Sequence, residues 1–326
     1  MESLCKLFGV TKQAYYKYDE NIKLAKVSQE EFAVSYINRI RSKDPGIGGV
    51  KLWHMYRRDF EGNHPLGRDR FEDVIDKYGL KVRHKVRKPR TTDSTHGLPL
   101  YPNLTREYLP MSANSLWVSD ITYIPVWKDN KHYDFCYLSM ILDAYSEEIV
   151  GWCVGETLDT KYPLSALRMA LSRIESVRKE DLNLIHHSDR GTQYASSVYV
   201  AMLRKYGIKI SMTECGDPKE NAKAERINST MKDELLMGMQ FHSVDEVREA
   251  VEAAIEFYNK ERPHMSIDMK TPYEASSCEG EIPKRWTSYR ELYIKTKNND
   301  FATGRKNVTL SPNYGAPSEL RSPVSP

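Results

Sequence analysis

Along this chain the spacing of apolar positions changes, and each regime predicts a different kind of structure. Between residues 29 and 78 apolar side chains recur every three to four positions, as Phe71, Val74, Ile75 and Tyr78 do, which gathers them on one face of a helix. Helices are predicted over 29–41, 50–59 and 68–78, with Gly79 ending the last and glycine- and proline-rich loops keeping them short. Upstream, predicted helices over 3–7 and 11–18 flank Phe8-Gly9-Val10. This is a helix-turn-helix outline, with Gly9 supplying the turn and Thr11 the cap, and an ordinary helical hairpin fits it equally.

From residue 114 the pattern changes to strands. The runs 115–127, 132–145 and 147–157 predict an antiparallel meander. Helices and strands then alternate: helix 162–177, strand 183–189, helix 196–207, strand 209–213, helix 221–235. The expected fold class is therefore α/β, a mixed five-stranded sheet with flanking helices behind an all-helical region. A last helix opens at Ser243, where Ser-Val-Asp-Glu forms a capping box with Glu246 and Val244, Val247, Val251, Ala254 and Tyr258 make the apolar stripe. Past residue 279 periodicity fades, and a poorly ordered tail is expected. The expected segments are 1–22, 23–80, 81–113, 114–276 and 277–326.

Composition narrows the function classes. The 326 residues suit two or three modules, and 40% hydrophobic with 29% charged residues argues against wholesale disorder. No apolar run reaches membrane-spanning length, no secretory signal opens the chain, and a cytoplasmic protein is expected. Five cysteines without a CxxC pair suggest neither a disulfide framework nor a zinc site. The net charge of +3 conceals an asymmetry: residues 1–100 hold 20 Lys and Arg against 13 Asp and Glu. Within 81–92, Lys81, Arg83, Lys85, Arg87, Lys88 and Arg90 have no acidic neighbour, so this segment reads as a linker that orders against phosphates. In the helix-turn-helix outline, Lys12, Gln13 and Lys17 are available for phosphates or base edges.

The acidic candidates lie downstream. Asp120 interrupts an apolar strand in WVSDITYI, Asp189 ends the fourth strand in HHSDRG, and Glu225 stands on a helix in NAKAERIN. A carboxylate buried at such a position calls for a cation. Three carboxylates without a Cys or His cluster favour Mg²⁺, with Mn²⁺ as substitute, and two such ions per site suit phosphodiester chemistry. With 45 acidic residues in the chain, spacing alone singles out no triple.

The surrounding motifs do. WVSDITYI, LDAYSEEIVGW, HHSDRGTQY, NAKAERINSTMKDEL and YNKERPHMSIDMKTPYEA occur in this order, and over roughly residues 45–276 they resemble the catalytic core of retroviral-integrase-like insertion-sequence transposases of the OrfB type. The resemblance implies an RNase H-like sheet and a metal-binding catalytic triad of Asp120, Asp189 and Glu225. It implies cleavage at the ends of a mobile element and transfer of 3′ hydroxyls to target DNA, by a homo-oligomer on DNA, with an OrfA-type partner or fusion, at the nucleoid of a bacterium. Two departures stand out: Glu220 precedes Asn221 where the family has aspartate, and Arg57 and Arg58 are counterparts of a Tyr-Gly-Tyr-Arg-Arg-like run. Lys232, seven positions after Glu225, shares its helix face with Asn228 and Ser229 and is placed at a phosphate; Asn221 and Asn228 are further DNA candidates. For Tyr258, Asn259, Arg262, Pro263 and His264, packing of the helix end and DNA contact are equal alternatives. Of His186 and His187, which precede Asp189, His187 is expected to orient the site or to pack against the first strand, and Asp143 to cap a turn. A non-catalytic DNA-binding regulator and a nuclease that cuts without joining are the rival readings.

Overall fold

The computed structural model describes residues 2–9, 11, 13, 20–62, 66–82, 97–176, 182–214 and 218–303, in two compact units, Met1–Trp286 and Thr287–Pro326. Most of the expected helix over 11–18, with Lys12 and Lys17, lies outside the described residues. So do Lys85, Arg87, Lys88 and Arg90.

The first unit opens with α1 (Glu2–Leu7), α2 (Glu20–Arg41), α3 (Gly49–Asp59) and α4 (Arg68–Lys77). Helix α2 starts nine residues before the expected 29, over Glu20-Asn-Ile-Lys-Leu-Ala-Lys. Leu24 there is exposed, so helix propensity rather than a buried stripe carries these turns, and the apolar period could not reveal them. Further on, Tyr36, Ile37 and Ile40 of α2, Leu52, Met55 and Tyr56 of α3, and Phe71, Val74 and Ile75 of α4 are buried together.

Strands β1 (Leu116–Trp127), β2 (Tyr133–Asp143) and β3 (Ile149–Gly155) form the meander, while β4 (Ile185–Ser188) and β5 (Lys209–Met212) run parallel to β1. The order is β3-β2-β1-β4-β5. Helix α5 (Lys161–Ser172) follows β3, and α6 (Thr192–Ala195) and α7 (Ser197–Lys205) join β4 to β5. Beyond β5 a 3-10 turn, Pro218–Asn221, enters α8 (Ala222–Thr230). The chain then widens into a π-helical turn, Met231–Leu235, before α9 (Val244–Lys260) and α10 (Pro272–Ala275). The predicted single helix over 221–235 is thus three pieces.

Alternating side chains of the sheet feed two apolar layers. Leu116, Val118, Leu138 and Met140 pack with Ile227, Met231, Val247, Val251 and the buried faces of α2, α3 and α4 in one cluster. Trp117, Ile141 and Val150 pack with Leu164, Leu167, Tyr199 and Leu203 in another.

Three terminal expectations change. Helix α5 stops at Ser172 rather than 177, giving way to a turn in which Ile174 N donates to Leu171 O. At α9, Ser243 Oγ accepts from Glu246 N as expected, but Glu246 Oε2 accepts from His242 N, so the reciprocal half of the capping box is replaced. In the second unit, the expected disordered tail contains α11 (Tyr289–Thr303). Ser288 Oγ accepts from Glu291 N at its start, and this cap, not an apolar stripe, is the local signal the periodicity passed over. Among the described residues no helix is long and apolar enough to cross a membrane.

Candidate active site

Strand register brings the first two carboxylates together. Strands β1 and β4 pair in parallel from Leu116↔Ile185 to Ser119↔Ser188, so Asp120 and Asp189 are the next residues on adjacent strands, at the carboxyl edge of the parallel pair. Neighbouring strands lie about 4.8 Å apart, and crevices outside the carboxyl ends of parallel strands are where α/β sheets take ligands. Asp189 sits one residue beyond β4 rather than within it. Because β4 ends there, that edge of β1 is next paired only at Val126 and Trp127, against Phe241, and Pro125, lacking an N–H, is tolerated on the stretch between.

Asp120 is held at both oxygens. Its Oδ1 accepts from Ile121 N at 2.9 Å and its Oδ2 from Asn228 Nδ2 at 2.8 Å. Desolvation, then repulsion from Asp189, and less strongly from Glu225, push its pKa up to about 7, while Lys232 pulls it down. Glu225 projects from the first turns of α8 and is exposed. Among the described residues no group of three or more acidic, His or Cys side chains stands close enough to hold a metal ion, and Glu225 acts on Asp120 less strongly than Asp189 does.

The backbone around Asp120 is braced by buried polar groups. Asn221 Nδ2 donates to Ser119 O at 3.1 Å, and Ser119 Oγ lies 2.8 Å from His186 Nε2, which also meets Tyr199 Oη at 3.0 Å. His187 spans β4 and the entry to α8. Its Nε2 lies 3.0 Å from Glu220 O, an acceptor only, so Nε2 carries the proton and Nδ1, 2.8 Å from Ser211 Oγ, accepts. His186 thus meets β1 through Ser119, and His187 ties β4 to β5 and to the turn before α8. Ser119, Ser211 and Tyr199 were not anticipated; nothing in a strand or helix pattern reveals that a hydroxyl will meet a particular imidazole.

The HHSDRGTQY run is explained residue by residue. Gly191 N donates to Asp189 Oδ1 at 3.0 Å, and a Cβ on Gly191 would also stand 3.0 Å from that oxygen. Arg190 Nε ties the loop to Thr213 O at 2.6 Å, and Gln193 Nε2 reaches Leu158 O at 3.0 Å. Tyr194 is buried beside His186. Asp143 caps its turn as expected, Oδ1 accepting from Tyr145 N and Ser146 N and Oδ2 from Asn114 N.

The expected DNA residues separate. Asn221 and Asn228 are each 7% exposed, and their amide nitrogens face β1 rather than solvent, which makes them braces of Asp120. Lys232, partly buried, lies 5.9 Å from the centroid of the Tyr123 ring. Arg57 is exposed over Trp53, while Arg58 donates to Glu261 O. Glu220 closes the loop before α8, pairing with Arg106 and accepting from Glu214 N. Asn259, Arg262 and His264 are buried, so for them the packing alternative holds.

Two family models, both described as Integrase core domain, match residues 110–218 and 206–272. The 31 kDa protein of insertion element IS600 from Shigella sonnei is 30% identical over 82% of this chain and 96% of its own. The protein assigned as transposase of IS986/IS6110 in Mycobacterium tuberculosis is 31% identical over 74% of this chain and 86% of its own. This chain belongs to the insertion-sequence transposases with an integrase core. The transposase for IS629 from Shigella sonnei is 27% identical over 84% of this chain and 90% of that one. Among solved structures, the catalytic core of HTLV-2 integrase in complex with magnesium covers 51% of this transposase and 97% of that chain, at 20% identity and a TM-score of 0.37. The expectation of an α/β fold with a mixed five-stranded sheet and the family assignment both hold for the transposase.

Proposed function

We propose that this transposase binds the ends of its own mobile element, frees 3′ hydroxyls there and joins them to target DNA, with Asp120, Asp189 and Glu225 as its catalytic carboxylates. One observation carries the reading: two aspartates side by side at the end of a parallel strand pair, with Glu225 and Lys232 within electrostatic reach of Asp120.

The residues fit a hard divalent cation such as Mg²⁺. All three donors are carboxylate, and the repulsion that raises Asp120 is the stress such a cation relieves. When bound, two divalent ions supply charge neutralisation at the attacking and leaving oxygens. The chain's own residues do the rest. Asn228 and the Ile121 amide fix the Asp120 carboxylate, while Asn221 and His186 fix the strand beneath it. Glu225, exposed at the start of α8, acts electrostatically on Asp120 and completes the carboxylate set when DNA binds, and Lys232 presents an ammonium to a phosphate beside the site. Positively charged Arg57, with Lys12, Lys17, Lys85, Arg87, Lys88 and Arg90, supplies sequence-independent contacts to the DNA backbone. Assembly as a homo-oligomer on two DNA ends, with an OrfA-type partner, belongs to the same reading.

Asp120→Asn, Asp189→Asn and Glu225→Gln are each expected to reduce both end cleavage and covalent joining of a 3′-hydroxyl oligonucleotide to a plasmid to background, with end binding retained. Substantial joining by any of them would sink the triad; cleavage without joining in the unaltered chain would favour the nuclease reading.

A further inference from the structure

A second cluster of charges is buried between the helical region and the π-helical turn. Asp44, in the loop after α2, is 0% exposed and neither of its carboxylate oxygens has a hydrogen-bond donor. Glu234, in the turn itself, receives Arg262 two-pronged, Nε to Oε1 at 2.8 Å and Nη2 to Oε2 at 2.9 Å, and Lys51 Nζ at 3.1 Å. Arg262 Nε also lies 3.6 Å from Asp44, and Nη1 2.9 Å from His264 Nε2. Two cations thus hold Glu234, while burial and Glu234 itself push the Asp44 carboxyl up to about 7; removing one cation leaves a buried charge uncompensated. The backbone follows suit: Gly46 N donates to Glu234 O at 3.0 Å, and a Cβ at Gly46 would stand 2.5 Å from Glu234 Cα.

What this cluster holds is an element that is seldom stable unaided. A π-helical turn is rare and appears mostly at functional sites; here Leu236 N closes it onto Met231 O at 2.9 Å. The same turn carries Lys232, two positions before Glu234. From this turn the Lys232 ammonium stands 5.9 Å from the centroid of the Tyr123 ring and within electrostatic reach of Asp120.

We propose that Asp44, Lys51, Glu234 and Arg262 form a clamp that holds the π-helical turn and thereby aims Lys232 at the active site. Glu234 and Arg262 are its central positioning residues, and Lys51 and Asp44 extend it into the helical region. The consequence for DNA rests on the reading of Lys232 as a phosphate contact; the clamp itself does not.

The test reads the geometry without DNA. The full-length transposase is acetylated under single-hit conditions, and the rate at Lys232 is followed by mass spectrometry in the unaltered chain, in Arg262→Lys and in Lys51→Gln. The second variant, on the partly exposed side of the cluster, serves should the first fail to fold. Acetylation at Lys232 is expected to accelerate several-fold in the clamp variants, with the exposed Lys128 unchanged. An unchanged Lys232 rate in a folded clamp variant overturns the clamp. Strand joining is measured on the same variants, alone and combined with Lys232→Ala. If acetylation accelerates and the loss caused by Lys232→Ala shrinks in the clamp background, both ideas stand. If acetylation accelerates while joining keeps its normal rate, the clamp stands and the phosphate role of Lys232 falls.

Discussion

At the scale of single residues, the chemistry of this site depends on one carboxylate being held still. Asp120 is oriented through Asn228, so Asn228→Ala removes the brace and leaves the charges. About a 10- to 100-fold loss of joining rate is expected, the size typical of residues that orient metal ligands, with end binding retained; a loss confined to binding would return Asn228 to the DNA interface. His186 makes a separate prediction. Burial, with His187 beside it, lowers its pKa from 6.5 to about 3, so the folded state disfavours its protonation more than the unfolded state does. Its stabilising contribution is whole above pH 6.5 and is lost as pH falls towards 3, at up to about 1.4 kcal/mol per pH unit. Urea midpoints between pH 6.5 and 5 should fall more steeply for the unaltered chain than for His186→Gln, and parallel slopes would refute this account. That Asp120 lies within the first strand and Asp189 at the end of the fourth was legible from the strand pattern and from the motifs WVSDITYI and HHSDRGTQY. That Asn221 and Asn228 reach β1 was not legible, because a sequence shows that an amide is on a helix, not which way it turns.

At the scale of elements, the ends and irregularities hold the information that periodicity lacks. Asn259 near the end of α9 both accepts from Ile149 N and donates to Ile149 O, each at 3.0 Å, where β3 shifts register against β2. Asn259→Ala strands two buried backbone groups and is expected to destabilise the fold by about 1–3 kcal/mol, read as a lowered unfolding midpoint. A change no larger than that of Ser243→Ala, about 1 kcal/mol for a lost cap, would show that water replaces the amide. The π-helical turn and the first turns of α2 were illegible for opposite reasons. The former interrupts an unbroken helical pattern through contacts made elsewhere in the chain, and the latter forms without an apolar face to announce it.

At the scale of the molecule, the helical region and the sheet form one cooperative body. Residues 33–75 contribute Ala33, Tyr36, Ile37, Leu52, Tyr56 and Phe71 to the same apolar cluster as β1, β2, α8 and α9, and the first compact unit includes them all. A fragment beginning at residue 98 therefore loses part of its core and the Lys51 arm of the buried charge cluster. It is expected to aggregate, or to melt well below the full chain, in a calorimetric scan; a monodisperse fragment with an unchanged transition would mean the two parts fold independently. The sequence alone determined what local physics encodes: the succession of helices and strands, the mixed sheet, and through its ordered motifs the family. Only the tertiary structure decided the parallel register that sets Asp120 beside Asp189, the inward turn of Asn221 and Asn228, and the burial of Arg262 with Glu234. These depend on partners as many as 108 residues apart in the chain, as Asp120 and Asn228 are, and periodicity carries no information about which distant side chain will arrive.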